Sequence, residues 1–505
     1  MNQHLPITLQ IIVQDDFLIY ETRELARLFY PAELTVISVD PTIDETTPVP
    51  TLGLLCYSER AGCRLICCLK TESHTFIESC FIDVERFKND SVELDRKLFK
   101  RDFKQCLFKV LQQWRPRELP WGILTGVRPV KLAHQLTQQL ENDQLIRDSL
   151  EACYFVSKKK AALLTDVAAV QRPLLDGTTP DRVSMYIGVP LCPSRCTYCS
   201  FISQPVKGQN DPLLDQYLEA LIIELKQSIQ WLKEQKRQLD TIYIGGGTPS
   251  VFSTKQIHRL MDTLARLYPL HQVREITFEA GRPDTLTLEK LRELHQYPVH
   301  RLSINPQTFN DSTLTNVNRQ HTVHEFYQAW EMALAEGFSL INLDIIIGLP
   351  GEGIQHVRHT LKQVAALQPP NLTVHALALK RSSSLAMIRN NQRLDDRTAD
   401  LLMDEIEAMA YSNRMRPYYL YRQKEITGHL ENIGYSLPGT ECLYNVLMME
   451  EKQTILGIGA GAVSKQYFPA QDRIRRIPNP KSIHVYIQRM LEVGFNDKSW
   501  ELFDK

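Results

Sequence analysis

The chain has 505 residues, too many for one compact hydrophobic core, so its length predicts two or three domains. Apolar residues make up 43% of it and charged residues 23%, which is typical of globular proteins and excludes a mainly disordered or collagen-like chain. Its 58 basic and 59 acidic side chains nearly cancel, so net charge does not draw the molecule to a membrane surface, and no nucleic-acid partner is expected.

The start of the chain and its apolar runs bear on location. The first residues, MNQHLPITLQIIVQDD, lack a basic head followed by a long apolar stretch, so no signal peptide is predicted. The longest apolar run, 340–349, contains Asn342 and Asp344, so no membrane span is predicted and a cytoplasmic protein is expected. Eleven cysteines in a long chain do not suit a disulfide framework; in a reducing compartment, clustered thiols indicate metal binding or catalysis.

Residues 1–175 mix strand-like and helical patterns and are predicted to form an N-terminal accessory domain. Within it, 54–57 and 64–69 are predicted as neighbouring strands, and 91–114 and 128–140 as helices.

The segment GCRLICCLK, in the second of these strands, superficially resembles a metal site. It contains Cys63, Cys67 and Cys68, but Leu65 and Ile66 lie between them in a strand-like run. This pattern favours cysteines that serve as small buried hydrophobes.

From residue 183 onward, short apolar strands alternate with amphipathic helices. Three helix starts have capping signals, at Asp211 with Pro212, at Ser253 with Gln256, and at Thr322 with Glu325. Alternation of this kind predicts parallel βα units, which close into a full or partial barrel or open into a doubly wound sheet; in both, ligands gather at the carboxyl ends of the strands. The predicted strands are 183–189, 240–244, 274–278, 300–304, 340–347 and 372–379.

Residues 176–380 are assigned to this α/β domain, and 381–505 to a smaller α+β domain on the substrate side. The second has predicted helices at 398–411 and 482–493, with the glycine-rich ILGIGAGAV (455–463) between them. Its GIGAGA resembles a dinucleotide-binding fingerprint, but Pro469 follows too early for the helix that such a site requires, so that function is not expected.

The segment MYIGVPLCPSRCTYCSF (185–201) carries the strongest chemical signal. Cys192, Cys196 and Cys199 follow the first predicted strand with C-x3-C-x2-C spacing. Thiolates bind iron–sulfur clusters, and three of them on one loop would leave one iron of a [4Fe–4S] cube open to a ligand. Two alternatives remain: a structural zinc site, for which no fourth ligand lies nearby, and three buried structural cysteines.

Several motifs resemble the oxygen-independent coproporphyrinogen III oxidase family. YIGVPLCPSRCTYC, IYIGGGTPS, FEAGRPDT, RLSINPQTFN, NVNRQHT and INLDIIIGLPGE occur in that family's order and approximate spacing, and they cover 183 to about 380. PWGILTGVRPVKL (120–132) and YYLYRQKEITGHLENIGYS (418–436) are similar to its coproporphyrinogen dehydrogenase (HemZ) branch. The resemblance implies an α/β fold with a partial (βα)6 TIM-like radical SAM barrel, a [4Fe–4S] cluster and S-adenosyl-L-methionine (SAM).

The resemblance also implies which residues bind SAM. A first set is predicted around the methionine end and the ribose, and a second around another SAM or the substrate. Alternatives are a glycine turn that only caps a helix, a solvated Glu279, a core Tyr186, and a purely structural ion pair between Arg319 and Asp344. The first set is Tyr186, Tyr198, Gly246, Gly247, Thr248 and Glu279; the second is Gln307, Arg319 and Asp344.

Two functions follow from the resemblance. The first is oxidative decarboxylation of coproporphyrinogen III to protoporphyrinogen IX in haem biosynthesis, with a low-potential donor such as flavodoxin or ferredoxin and a monomeric protein. The second is a haem-binding chaperone that retains the cluster and SAM. Family members of the oxidase branch tend to have a further cysteine where this chain has Phe201, and relatives without it include such chaperones. Candidate partners for the substrate carboxylates are Arg282, Arg381, Arg422 and Lys424.

Overall fold

A computed structural model describes residues 8–13, 16–29, 33–37, 51–59, 62–83, 92–201, 203–378, 395–423 and 430–492. The chain separates into two compact units, Met1–Thr165 and Asp166–Lys505. The division into three domains with boundaries near 175 and 380 stays a prediction. Among the helices in these ranges, none combines the length and the apolarity that crossing a membrane would require.

The first unit contains a five-stranded sheet with the order β2-β1-β3-β4-β5. Residues 54–57 and 64–69 lie in adjacent antiparallel strands, as predicted, and Leu54 is opposite Cys67. The strands are β1 (Thr8–Val13), β2 (Glu33–Ile37), β3 (Thr51–Glu59), β4 (Gly62–Lys70) and β5 (Thr75–Asp83). The helices are α1 (Asp16–Phe29), α2 (Val92–Trp114), α3 (Val130–Thr137), α4 (Asp143–Tyr154) and α5 (Lys158–Asp176), the last with residues on both sides of the boundary.

Alternate residues of β4 build the core of this unit. Leu65, Cys67 and Leu69 are buried and belong to one hydrophobic cluster with Phe103 and Leu107 of α2. This arrangement confirms the prediction that Cys67 serves as a buried hydrophobe, because a period of two places every second side chain of a strand on one face. Cys68 on the other face is half-buried, and the side chain of Cys63 lies outside the described part.

The second unit is built on one sheet, in which eleven strands of the described residues have the order β14-β15-β13-β12-β11-β10-β9-β6-β16-β17-β18. Its strands are β6 (Arg182–Val189), β9 (Gln238–Gly246), β10 (Glu275–Glu279), β11 (Arg301–Ser303), β12 (Ile341–Ile347), β13 (Asn371–Ala376), β14 (Arg416–Tyr421), β15 (Asn432–Ser436), β16 (Thr454–Ile458), β17 (Val463–Phe468) and β18 (Arg473–Pro478), with the short pair β7 (Leu191–Cys192) and β8 (Gln204–Pro205) outside it. Its helices are α6 (Pro212–Glu234), α7 (Thr254–Leu267), α8 (Leu288–His295), α9 (Asp311–Asn316), α10 (Val323–Ala335), α11 (Ile354–Leu367), α12 (Asp396–Ser412), α13 (Leu443–Glu450) and α14 (Ile483–Glu492).

Six adjacent strands of this sheet, β6 and β9 to β13, are parallel and start within two residues of the predicted positions. The prediction of a partial (βα)6 barrel is therefore confirmed, although the end predicted for the sixth strand, Leu379, lies outside the described residues. Helix α6 covers the sheet with Leu214, Tyr217 and Leu221, all of them fully buried. The reason is a spacing of three and four residues, which aligns their side chains on one helix face.

The predicted helix starts are confirmed. The side chain of Asp211 accepts a hydrogen bond from the Leu213 N–H, and Pro212 begins α6. Ser253 with Gln256, and Thr322 with Glu325, form reciprocal capping boxes that begin α7 and α10.

Residues after 395 extend the same sheet on both sides. Strand β15 pairs with β13 in antiparallel orientation, and β16 pairs with β6 in parallel orientation. The glycine-rich turn, with Gly459 at φ +102° and Gly461 at φ +73°, connects β16 to β17. Because a strand and not a helix follows, the turn lacks the geometry of a dinucleotide site, as expected.

Candidate functional site

A cavity of about 220 Å³ lies at the carboxyl ends of the parallel strands. Ten of the twelve residues predicted to bind the cluster or SAM border it, and they come from five different strand ends or loops. They are Cys192, Cys196, Tyr198, Cys199, Gly246, Gly247, Glu279, Gln307, Arg319 and Asp344. The sheet therefore gathers residues that are up to 152 positions apart in the sequence, counted from 192 to 344.

The cysteine loop leaves β6 and is shaped by a few backbone bonds. The Cys199 N–H donates to the Cys196 carbonyl over 3.1 Å, and the Thr197 N–H donates to the Val317 carbonyl over 3.0 Å. Burial raises the pKa of the Cys192 thiol to about 12 and raises that of Cys199. All three cysteines border one cavity, and a metal bound there would displace protons from the Cys192 and Cys199 thiols.

The glycines after β9 hold this loop in place. Gly246 has φ +117°, a conformation that side chains disfavour. At Gly247, a Cβ atom would lie 2.9 Å from the Cys192 Sγ, so glycine allows the strand end to pack directly against the loop. The N–H groups of Gly247 and Thr248 donate to the carbonyls of Val189 and Leu191 over 2.8 and 2.9 Å. These backbone donors therefore hold the cysteine loop against the end of β9.

Glu279, at the end of β10, is a partly buried carboxyl group at the cavity wall. It accepts hydrogen bonds from the Tyr243 hydroxyl and from the Gly246 N–H, the latter over 3.1 Å. Burial raises the pKa of Glu279 to about 7, and the nearby Asp344 charge adds to this, against the effect of the hydrogen bonds. Glu279 is therefore placed to accept hydrogen bonds from a ligand amine or ribose, and it is not a freely solvated strand-end residue.

Arg319 and Asp344 do not form the predicted ion pair. The Arg319 Nη2 donates to the carbonyls of Gly281 and Asn305, the first over 2.6 Å, and its Nη1 lies 4.0 Å from the Cys196 Sγ. The prediction was wrong because carbonyls that follow β10 and β11 hold the Arg319 Nη2, and its Nη1 turns toward the cysteine loop.

Asp344 has partners on its own strand β12 and on the neighbouring strand β13 instead. Its carboxylate accepts from the Asn342 side chain over 2.7 Å, and its Oδ2 lies 3.5 Å from the His375 Nε2. Burial acts to raise the pKa of Asp344, but His375 and Asn342 outweigh it and lower the pKa. Tyr421 in turn contacts the His375 Nδ1 over 3.2 Å.

Gln307 combines a left-handed backbone with a buried side-chain oxygen that has no partner among the described residues. Its φ of +66° lies in the left-handed region, and its backbone pairs with β12 through the Asp344 carbonyl over 2.9 Å. Within the described residues its buried Oε1 has no hydrogen-bond partner, although it borders the cavity. Buried polar atoms are usually satisfied, so this oxygen and the strained backbone indicate a bound group with a donor at this position.

Comparison with known proteins agrees with the sequence motifs. The family model of the Radical SAM superfamily matches residues 186–364. The chain is 38% identical over 408 residues to the oxygen-independent coproporphyrinogen-III oxidase-like protein HemZ of Bacillus subtilis, a match that covers 80% of this chain and 81% of that protein. The chain belongs to the oxygen-independent coproporphyrinogen-III oxidase-like family of radical SAM proteins.

The chain is also similar to a heme chaperone and to an oxidase of known structure. The chain is 30% identical to the heme chaperone HemW of Lactococcus lactis, over 64% of this chain and 83% of that protein. Among solved structures, coproporphyrinogen III oxidase (HemN) from Escherichia coli matches with a TM-score of 0.50 and 25% identity, over 65% of this chain and 73% of that one. The family therefore includes proteins named as oxidases and as chaperones.

The radical SAM superfamily uses a [4Fe–4S] cluster and S-adenosylmethionine, and the chemistry of the residues that border the cavity suits both. Three thiols border one part of it, and the unpartnered Gln307 oxygen and the Glu279 carboxyl lie on its other walls. Within the described ranges, no three Cys, His, Asp or Glu side chains are arranged to hold a single metal ion. The assignment of each residue to the cluster or to SAM stays a prediction.

Two of the twelve predicted residues are not at the cavity wall. Tyr186 packs beside the stacked rings of Tyr243 and Tyr444, with its ring centroid 6.2 and 6.3 Å from theirs, which is the core position that the alternative interpretation describes. The Thr248 hydroxyl is buried 3.2 Å from the Ser250 hydroxyl. Both residues support the loop and strand around the cavity.

Sequence reasoning missed several wall residues, among them Asn305, His375 and Tyr421. A signal for His375 was present, since a polar residue lies inside the apolar run LTVHALAL, but its neighbours in space are on other strands. The sequence did not single out Tyr421 as a site residue, because Tyr421 lies on β14 and reaches His375 of β13 only through the antiparallel pairing of both strands with β15.

Proposed function

We propose that the protein is a radical SAM enzyme that converts coproporphyrinogen III to protoporphyrinogen IX by oxygen-independent oxidative decarboxylation in haem biosynthesis. The observation that carries this proposal is the 38% identity to the oxidase-like HemZ of Bacillus subtilis over 80% of the chain. That match is longer than the 64% covered by the HemW chaperone of Lactococcus lactis.

In this proposal Cys192, Cys196 and Cys199 hold the cluster. When bound together, the cluster and SAM supply the means to remove a hydrogen atom from an unactivated carbon. The Glu279 carboxyl and the Gln307 oxygen accept hydrogen bonds from SAM, and the carbonyl groups near Gly246 receive its amine. Each acceptor is on a strand end or on backbone paired with a strand, so it is held in place before the ligand arrives.

The substrate carries four carboxylates, so cationic partners are needed. Arg282 borders the cavity but is already paired, and Arg422 is buried without bordering it. Arg381 and Lys424 lie outside the described residues; they are close in sequence to the wall residues Ala378 and Gln423. Arg381 and Lys424 are therefore the carboxylate partners in this proposal.

The proposed context is the cytoplasm, where a monomer receives electrons from a flavodoxin or ferredoxin. A low-potential donor is required because the cluster has to be reduced by one electron before each cleavage of SAM.

The test is anaerobic incubation of the reconstituted protein with SAM, dithionite and coproporphyrinogen III, followed by chromatography of porphyrins and nucleosides. Formation of protoporphyrinogen IX with 5′-deoxyadenosine supports the proposal. Formation of 5′-deoxyadenosine without a porphyrin product contradicts it and indicates another substrate.

The second candidate is a haem-binding chaperone that retains the cluster and SAM. It is favoured by the similarity to HemW and by Phe201, which borders the cavity with 67% of its surface exposed where a further cysteine occurs in oxidases. Tight, stoichiometric haem binding without turnover of coproporphyrinogen would select this candidate over the first.

A further inference from the structure

Arg282 is a buried cation at the cavity whose side chain is held by protein groups. It is only 3% exposed, and its Nε and Nη2 donate to the two carboxylate oxygens of Asp284 over 2.9 and 2.8 Å. A planar guanidinium gripped through two parallel hydrogen bonds has one fixed orientation. Its third nitrogen is thereby aimed in a defined direction.

That third nitrogen points at the cysteine loop. The Arg282 Nη1 donates to the Ser194 Oγ over 2.9 Å and lies 3.4 Å from the Ser194 carbonyl oxygen. Ser194 is buried and lies between Cys192 and Cys196. The guanidinium therefore ties the stretch between two of the three proposed ligands to the end of β10.

The same stretch is held from a second side. The Ser194 hydroxyl donates to the Asn318 carbonyl over 3.3 Å, and the Asn318 side chain donates to the Arg195 carbonyl over 2.9 Å. Asn318 has φ +57°, a left-handed conformation that asparagine tolerates better than most residues. Ser194 thus connects Arg282 to the turn after α9. These two partners are 88 and 124 residues away from it in the sequence, so tertiary contacts fix the shape of the loop.

We propose that Arg282, oriented by Asp284, is a positioning residue that fixes the cysteine loop in its cluster-binding shape and turns the positive end of a buried ion pair toward the cluster. This inference rests on the proposed ligands Cys192, Cys196 and Cys199. Reduction adds one negative charge to the cluster. Asp284 compensates the charge of Arg282, but the guanidinium is the end of the pair that faces the loop, so the pair stabilises the reduced cluster as a dipole that little water screens. Partners that orient metal ligands also govern how tightly the metal is held.

The test compares Arg282→Gln, Arg282→Lys and wild type after anaerobic reconstitution. We expect Arg282→Gln to lose iron to a chelator about 10- to 100-fold faster, as for other substitutions of residues that orient metal ligands. We also expect its midpoint potential to shift to a more negative value. Arg282→Lys keeps the positive charge, but a lysine ammonium cannot form the paired hydrogen bonds to Asp284 and the bond to Ser194 at the same time. Its potential should stay near that of wild type while its iron loss is accelerated.

The matched control is Arg292→Gln, because Arg292 also pairs with a carboxylate, Glu336, over 3.3 Å but is 62% exposed. It should leave both readouts unchanged. If Arg282→Gln does not fold, Ser194→Ala removes only the hydroxyl that receives the guanidinium, and faster iron loss is then expected with a potential close to that of wild type.

Wild-type iron loss and potential in Arg282→Gln, or wild-type iron loss in Ser194→Ala, would overturn this inference. If Cys196→Ala still fails to retain iron, such a result would leave the assignment of Cys192, Cys196 and Cys199 as cluster ligands intact. Conversely, retention of a full cluster by Cys196→Ala would refute the ligand assignment itself.

Discussion

Two buried carboxyl groups of the second unit, Glu224 and Glu279, have almost the same local chemistry but lie in different regions. Glu224 accepts from the Tyr486 hydroxyl over 2.6 Å and from the Gly459 N–H over 2.7 Å. Glu279 likewise accepts from a tyrosine hydroxyl and a glycine N–H. Burial raises the pKa of each to about 7.

The difference lies in what completes each environment. Glu224 also accepts from the Asn479 side chain over 2.7 Å, and it ties α6 to the glycine-rich turn and to α14. Glu279 faces the cavity, with the Asp344 charge nearby. A raised pKa therefore does not identify a functional carboxyl in this protein; access to a cavity separates the ligand-binding region from the structural one.

The largest effect is expected for Cys196→Ala. Loss of one of three thiolates should abolish the brown chromophore and all SAM cleavage, because the cluster is no longer held. The free energy of unfolding of the apoprotein should change little by comparison. Iron and sulfide analysis with denaturant unfolding checks both. If Cys196→Ala kept the full chromophore, the cavity would not be the cluster site.

Glu224→Ala is expected to lower the free energy of unfolding by about 3 to 5 kcal/mol, since the buried Tyr486 hydroxyl and Gly459 N–H lose this acceptor. Equilibrium urea unfolding measures this value. Glu219→Ala on the same helix is the matched control, since Glu219 is 45% exposed in its pair with Arg259 and should contribute less than about 1 kcal/mol. Equal effects for the two variants would show that the Glu224 contacts do not anchor the turn.

The pH dependence of stability follows from the same residue. The folded pKa of Glu224 is about 7 and the ordinary value is 4.5, so between these values the folded state binds more protons than the unfolded state. Its contribution to stability is complete below pH ~4.5 and falls by about 3 kcal/mol as the pH rises to ~7. Glu224→Gln should flatten this part of the curve measured by urea unfolding; an unchanged slope contradicts the assignment.

The smallest effect is expected for Glu279→Gln. Loss of the carboxylate should weaken SAM binding by roughly 10- to 100-fold, as for a charge-assisted hydrogen bond. Its effect on the free energy of unfolding should be below about 1 kcal/mol, because the amide still bonds Tyr243 or Gly246. Calorimetry with SAM measures the affinity. Unchanged affinity together with a large loss of stability would place Glu279 with Glu224 among structural carboxyls.

Much of the fold was predictable because its signals are local. The capping boxes at Ser253 and Thr322 involve residues three positions apart, and hydrophobic periodicity located the six parallel strands β6 and β9 to β13 within two residues of their starts. The extension of the sheet by β14 to β18 was not predicted, since which strands pair depends on partners far away in the chain.

The sequence by itself determined the cysteine loop, the glycine turn and the order of βα units, since each depends on residues next to one another. Only the tertiary structure decided that Arg319 turns to the cysteine loop and not to Asp344, that Arg282 donates to Ser194 in the cysteine loop, and that His375 borders the cavity. Buried charges take the partners that the order of strands brings near, and spacing along the chain does not contain that order.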